Sequence, residues 1–273
     1  MNKLLDCIIN KKSFQVPIWF MRQAGRYLPE FQKIRKKNLD FIKLCLNSNL
    51  VTDITIQPLN RFDLDAAIIF SDILIIPYGL GQKVEFKKGK GPILEECDPK
   101  KILAAEETDV IKKFKPIYQA INQVKSKTKK NIIGFTGAPW TLLLYMLNKK
   151  SPKKNFNFNL ITKNKLLVNQ LLEKLVNIIV FHITKQIEAG ADIIQIFDSW
   201  AGLLPKKDLP NYCFNPTLEI LQRVKKFGVP VICFPKGIKE SYSDFCSIVK
   251  PDCISIDYTI DPLWIKEKAN GIP

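Results

Sequence analysis

The chain has 273 residues, 46% of them hydrophobic, enough to bury the core of one domain of α/β-barrel size. Its 42 basic and 26 acidic residues give a net charge of +16. The lysines are scattered in short pairs such as Lys36-Lys37, Lys129-Lys130 and Lys149-Lys150, with no basic arm or nucleic-acid motif, so a nucleic-acid binder is set aside.

Residues 4–9 predict a short amphipathic helix. The apolar run 16–21 predicts a buried strand. It ends at a turn, Arg22-Gln23-Ala24-Gly25-Arg26. Helices are expected over 29–37, 39–46 and 51–59, the first begun by a proline tolerated in a first turn. A second buried strand covers 64–70, and residues 82–98, punctuated by Gly89, Gly91 and Pro92, read as a loop or hairpin. A helix over 109–125 has Asp109 at its cap. A third strand, 131–135, ends in Thr136-Gly137-Ala138-Pro139-Trp140, and a helix follows from Thr141. Residues 151–159 read as a loop and 162–189 as a long helix. Strands at 191–197, 229–234 and 253–257 alternate with helices at 216–227, 241–249 and 261–269.

Strand, loop and helix thus repeat about six times within a single domain, residues 1–273. That pattern makes a parallel sheet covered by helices. A doubly wound sheet is the alternative, but no Gly-x-Gly-x-x-Gly follows the first strand. Polar loops follow the strands, as they do on the active face of a (β/α)8 barrel. Such a barrel needs eight strands, so the expected fold is a TIM-type barrel that is C-terminally incomplete.

The seven cysteines are widely spaced, without a C-x-x-C, and read as reduced core thiols of a cytoplasmic protein. Neither a signal peptide nor an apolar run of membrane-spanning length is evident. No metal site is expected. The single histidine, His182, lies inside the long helix and reads as a packing or surface residue, which removes serine–histidine and cysteine–histidine nucleophile systems.

Some residues invite a functional reading beside a bland one. Arg22 and Arg26 flank small residues, so two guanidinium forks and backbone N–H groups can converge on a polyanion; otherwise the turn is a solvated basic loop. Asp72 follows a very apolar strand and is either a half-buried carboxylate or a helix cap. Tyr145 is a core tyrosine or a ligand contact, and Ser199 a loop serine or a cap. Asp198 could orient an arginine.

The string from Pro17 to Phe31, the run Ile68-Ile69-Phe70-Ser71-Asp72-Ile73-Leu74, the segment Gly137-Ala138-Pro139-Trp140-Thr141 with Tyr145, and Phe197-Asp198-Ser199-Trp200-Ala201-Gly202 together resemble the uroporphyrinogen decarboxylase family. The resemblance runs from Phe14 to about Pro262. It implies decarboxylation, without a cofactor, of the four acetate side chains of uroporphyrinogen III to give coproporphyrinogen III in porphyrin biosynthesis. It also implies Asp72 and Arg22 as catalytic residues. Arg22, Gln23, Ala24, Gly25, Arg26, Asp72, Tyr145 and Ser199 would contact the tetrapyrrole. A cytoplasmic homodimer without nucleic-acid or membrane partners is expected.

The family's later Gly-Asn-Leu-Asp-Pro and Gly-His-Gly segments are absent. Rival readings are a non-catalytic or weakly active tetrapyrrole-binding relic, and a corrinoid-linked barrel methyltransferase. The lack of a His-x-Cys spacing argues against the methyltransferase.

Overall fold

The structure, a computed structural model, describes residues 3–11, 15–87, 89–152 and 158–273. Its strands, in chain order, are β1 (Ala66–Ile68), β2 (Val84–Lys87), β3 (Gly91–Leu94), β4 (Asn131–Gly137), β5 (Ile193–Asp198), β6 (Val231–Pro235) and β7 (Cys253–Ile254). Strands β1, β4, β5, β6 and β7 form one parallel sheet in that order, while β2 and β3 form a separate antiparallel hairpin. The sheet order follows the chain without reversal. A doubly wound sheet reverses at a switch point, so this sheet is singly wound, as the wall of a (β/α)8 barrel is. The sheet is open, with β1 and β7 at its edges.

The period-2 pattern of the strands sorts their side chains into two layers. Ala66, Ile68, Ile133, Ile193, Phe197, Ile232 and Phe234 share the inner face with Phe135. Helix Lys3–Asn10 covers part of that face through Leu4 and Ile8, as its amphipathic pattern predicts. Ala67, Ile132, Ile194, Ile196, Val231 and Cys233 face the larger core beneath the helices. Each fully buried aliphatic side chain there contributes about 1.5–3 kcal/mol.

Helix starts follow local rules. Asp40, Asn47, Asp98, Asn164 and Asp261 accept backbone N–H groups at caps. Pro29, Pro99, Pro139 and Pro262 occupy first turns, where their missing N–H is harmless.

The structure corrects several expectations. Residues 16–20 form no strand, and Val16 is 83% exposed. The reason is local satisfaction of the polar groups. Ile18 N–H donates to Asp65 Oδ2 and Asp65 N–H to the Ile18 carbonyl, both at 2.8 Å. The Gln23 amide occupies the Ala66 carbonyl at 3.0 Å. Two side chains and a single backbone bond thus replace the ladder that a strand would make at the β1 edge, and the parallel strands among the described residues are five rather than six. The expected helix over 109–125 is two helices, Glu107–Lys113 and Lys115–Lys127, broken at Phe114 close before Pro116. Asp109 lies inside the first of them and pairs with Lys112. A further helix, Pro99–Ala104, precedes them. Of the expected loop at 151–159, residues 153–157 lie outside the described residues. Helix Lys165–Glu188 carries an 18-residue window of mean hydropathy 1.5 and is long enough to cross a membrane, contrary to expectation. Half of that window is buried within the fold, through Leu171, Leu175, Ile178, Ile179 and Ile183.

Candidate active site

The arginine turn is held by Gln23, which is 2% exposed. Its Oε1 accepts from Phe20 N–H (3.1 Å) while its Nε2 donates to β1. Both ends of the side chain are thereby used on the chain itself, so Gln23 pins the turn. Tyr27 OH donates to the Gln23 carbonyl and closes the turn. Ala24 and Gly25 are half-buried, whereas Arg22 and Arg26 are exposed. None of the ion pairs among the described residues involves either arginine. A groove of about 600 Å³ lies beside them, between Phe20, Met21, Arg22, Tyr27 and Phe62.

Asp72 follows the end of β1. One carboxylate oxygen, Oδ1, accepts from Leu74 N–H at 2.8 Å, which opens the turn into helix Ile75–Gly79. The bland cap reading is therefore half right. Burial pushes this carboxyl up to about 6, against the opposing pull of the Leu74 N–H and the Arg22 charge. Arg22 and Asp72 are thus brought into one electrostatic neighbourhood.

The β5 end is clamped from the neighbouring helix. Trp140 Nε1 donates to the Trp200 carbonyl at 3.0 Å. Thr141 Oγ1 donates to Asp198 Oδ1 at 2.6 Å and accepts from Trp200 N–H at 3.1 Å. The Pro-Trp-Thr segment therefore fixes the turn that carries Ser199. Asp198 is 3% exposed and points to the helix layer, where the Cys213 thiol also donates to it. Burial pushes Asp198 up to about 6. It braces the turn, and the arginine expected beside it is not among its partners. Tyr145, one helical turn beyond Thr141, meets the Trp200 ring edge-on at 6.2 Å between centroids.

Gly137 joins these pieces. A Cβ there would lie 2.8 Å from Leu142 Cδ2 and 3.1 Å from Ile73 Cβ, so the segment after β1 packs directly on the end of β4. Gly137 is in register with Phe197, and Ala138 N–H donates to the Phe197 carbonyl at 2.9 Å. The segments that follow β1, β4 and β5, which carry Asp72, the helix of Tyr145 and the turn of Ser199, thus stand side by side along the C-terminal ends of adjacent strands.

Sequence reasoning missed two polar atoms here. Ser71 Oγ and Trp200 Nε1 are buried without a hydrogen-bond partner. The uncommon pairing of a strand end with a buried polar side chain was the only available signal. His182 lies elsewhere. It is 2% exposed, hydrogen-bonded through Nδ1 to Tyr118 OH (2.9 Å), and burial pushes it down to about 3.

The uroporphyrinogen decarboxylase (URO-D) family model matches residues 1–272. Uroporphyrinogen decarboxylase of Rickettsia felis is 37% identical over 270 residues, covering 97% of this chain and 78% of the relative. The Rickettsia bellii protein of that name is 38% identical over 275 residues, covering 98% and 81%. That of a Chelativorans species is 36% identical over 267 residues, covering 94% and 77%. A methyltransferase from Methanosarcina mazei shares the fold, with a TM-score of 0.78 at 16% identity over 98% of this chain and 79% of the neighbour. With a family model spanning almost the whole chain, and with relatives sharing more than a third of its residues, the chain belongs to the uroporphyrinogen decarboxylase family.

Proposed function

We propose that Asp72, Arg22, Arg26, Tyr145 and Ser199 carry out the family reaction, in which uroporphyrinogen III loses its four acetate carboxyl groups and becomes coproporphyrinogen III. The reaction is that of a carbon–carbon lyase, a decarboxylase of porphyrin and haem biosynthesis. The pyrrole itself supplies the chemistry. Protonation of the ring carbon next to the one that bears the acetate arm creates a ring cation with positive charge on the arm-bearing carbon. The C–C bond to the carboxylate then breaks, its electrons neutralise the ring and CO2 leaves. A second proton on the exposed methylene, with loss of the first from the system, leaves a methyl group.

The protein's part is electrostatic. The half-buried Asp72 carboxylate, in the field of Arg22, is the observation that carries this reading. Its Oδ1 is fixed by Leu74, so the charge is preorganised to receive pyrrole N–H groups and to stabilise the cation. Such fixed charge in a site is worth about 10²–10³ in turnover. Arg22 and Arg26 grip acetate and propionate carboxylates by bidentate hydrogen bonds. Arg22 acts by holding a carboxylate or a water rather than as a free acid. Tyr145 and Ser199 donate to the ring substituents, Ala24 and Gly25 supply backbone contacts, and Gln23, whose N–H donates to the Phe20 carbonyl and whose carbonyl accepts from Tyr27 OH, serves by holding the turn.

Homodimerisation, a cytoplasmic location and the absence of nucleic-acid and membrane partners belong to the same proposal and rest on the family resemblance. Anaerobic incubation with freshly reduced uroporphyrinogen III tests the reading, with carboxylate number followed by chromatography of the oxidised porphyrins. Products with seven to four carboxylates, lost in Asp72→Asn, are expected. A folded sample that yields none refutes it.

A further inference from the structure

The turns that follow β5 and β6 begin with Ser199 and Lys236, each two residues beyond an inner-face phenylalanine. On β5 the inner-face series is Ile193, Gln195 and Phe197, and on β6 it is Ile232 and Phe234. Phe197 is in register with Phe234 and Asp198 with Pro235, so Ser199 and Lys236 are the residues that directly follow the last paired positions of the two strands. Adjacent strands are about 4.8 Å apart.

The backbone that presents Lys236 is locked. Its N–H donates to the Asp198 carbonyl at 3.1 Å, and its own carbonyl accepts from Gly202 N–H at 2.9 Å. Gly237 has φ +83°, and a Cβ on Gly202 would lie 2.6 Å from the Gly237 oxygen, so the turns after β5 and β6 touch backbone to backbone. Gly237 N–H is held in turn by Asp257 Oδ2 at 2.8 Å. From this fixed base the Lys236 side chain is exposed, and none of the ion pairs among the described residues involves it. Its charge is therefore available to a ligand.

We propose that Lys236 is a substrate-carboxylate anchor on the wall opposite the arginine turn, so that a polycarboxylate is gripped from both sides of the mouth. This rests on the reading of the mouth as a porphyrinogen site. From the end of β1, which carries Asp72, to the end of β6 there are three strand steps, about 14 Å. Arg22 and Arg26 serve carboxylates on one edge of a macrocycle, and Lys236 with Ser199 serves those on the far edge. A ligand with carboxylates on one edge only engages one wall and forgoes the other. An exposed ion pair contributes little by itself, so the expected loss on removing Lys236 is about fivefold in affinity.

Equilibrium binding of uroporphyrin I, the stable fluorescent octacarboxylate, reads this directly without turnover. The chains compared are wild type, Lys236→Ala, Lys236→Gln, Lys236→Arg and Lys225→Ala. Lys225 lies in the turn before β6, at the opposite end of the same strand, and loses the same unit of charge. Weakening of about fivefold in Lys236→Ala and Lys236→Gln, recovery in Lys236→Arg and an unchanged Lys225→Ala support the anchor. Equal affinities for wild type, Lys236→Ala and Lys225→Ala overturn it while leaving the porphyrinogen site standing. A folded wild type that does not bind uroporphyrin overturns the site itself, and the anchor with it.

Discussion

Asp198→Asn exposes the cost of a buried carboxylate that braces the site without facing it. Burial raises Asp198 from 3.8 to about 6. Each pKa unit corresponds to about 1.4 kcal/mol. A raised carboxyl binds its proton more tightly folded than unfolded, so folding stability falls as pH rises from the unfolded value through the folded one. At pH 7.5 the ionised form costs the fold on the order of 3 kcal/mol, and at pH 4.5 on the order of 1. The wild type should therefore lose about 2 kcal/mol more stability than Asp198→Asn between those two pH values. The substituted amide keeps an acceptor for Thr141 and places an unpartnered N–H where Oδ2, already without a partner, now lies. That penalty is the same at both pH values and cancels. Asp72 is common to both chains and cancels too. Urea unfolding at pH 4.5 and 7.5, with matched slopes, measures the difference. Parallel stability changes in the two proteins would refute the account of Asp198 as a buried, largely uncompensated charge.

Other outcomes follow from the same geometry. Asp72→Asn should lower kcat by about 10²–10³, and the wild-type kcat/KM should rise with pH through about 6 as the Asp72 carboxyl ionises; an acid limb that persists unchanged in an active Asp72→Asn would remove this residue from the mechanism. Arg26→Ala should raise KM about tenfold or more with a smaller change in kcat, measured by initial rates, because an anchoring contact is made before and during the chemistry. His182→Phe should leave the rate per folded molecule unchanged and cost about 1–3 kcal/mol, because Tyr118 OH loses its partner. Its depressed pKa also means that wild-type stability is lost as pH falls below about 6.5, a slope that calorimetry should find reduced in the variant. Gly137→Ala should destabilise by about 1–3 kcal/mol through the close approach of Leu142 and Ile73, read from the thermal midpoint.

The alternation of elements and most helix starts are legible in the chain of residues alone. Those features are local. A proline in a first turn, an aspartate or asparagine before an apolar run and a β-branched strand act over a few residues. Helix Pro29–Lys37 has the bounds that its proline and its apolar spacing imply. The run 16–21 shows where such reasoning stops. Its composition is that of a buried strand, yet it is tied by the side chain and backbone of Asp65 and by the side chain of the nearby Gln23, and Val16, Ile18, Phe20 and Met21 lie at the surface. No local pattern encodes that competition, because it depends on which backbone groups at the β1 edge are already occupied.

The long helix Lys165–Glu188 makes the same point in reverse: its apolar face is explained by the sheet against which it packs, which composition cannot reveal. Among candidate site residues, Asp72 and Ser199 follow strand ends, whereas Arg22 follows a run that forms no strand and Tyr145, inside a helix, stands out through the family resemblance. Only the tertiary structure gave Gln23 its pinning role and turned Asp198 into the helix layer. It also used Thr141 to bind the β5 turn and brought the turns after β5 and β6 together through strand register and the Lys236 N–H to Asp198 carbonyl bond. Register and burial are properties of two chain segments meeting, and a side chain's electrostatic state follows from that meeting rather than from its neighbours in sequence.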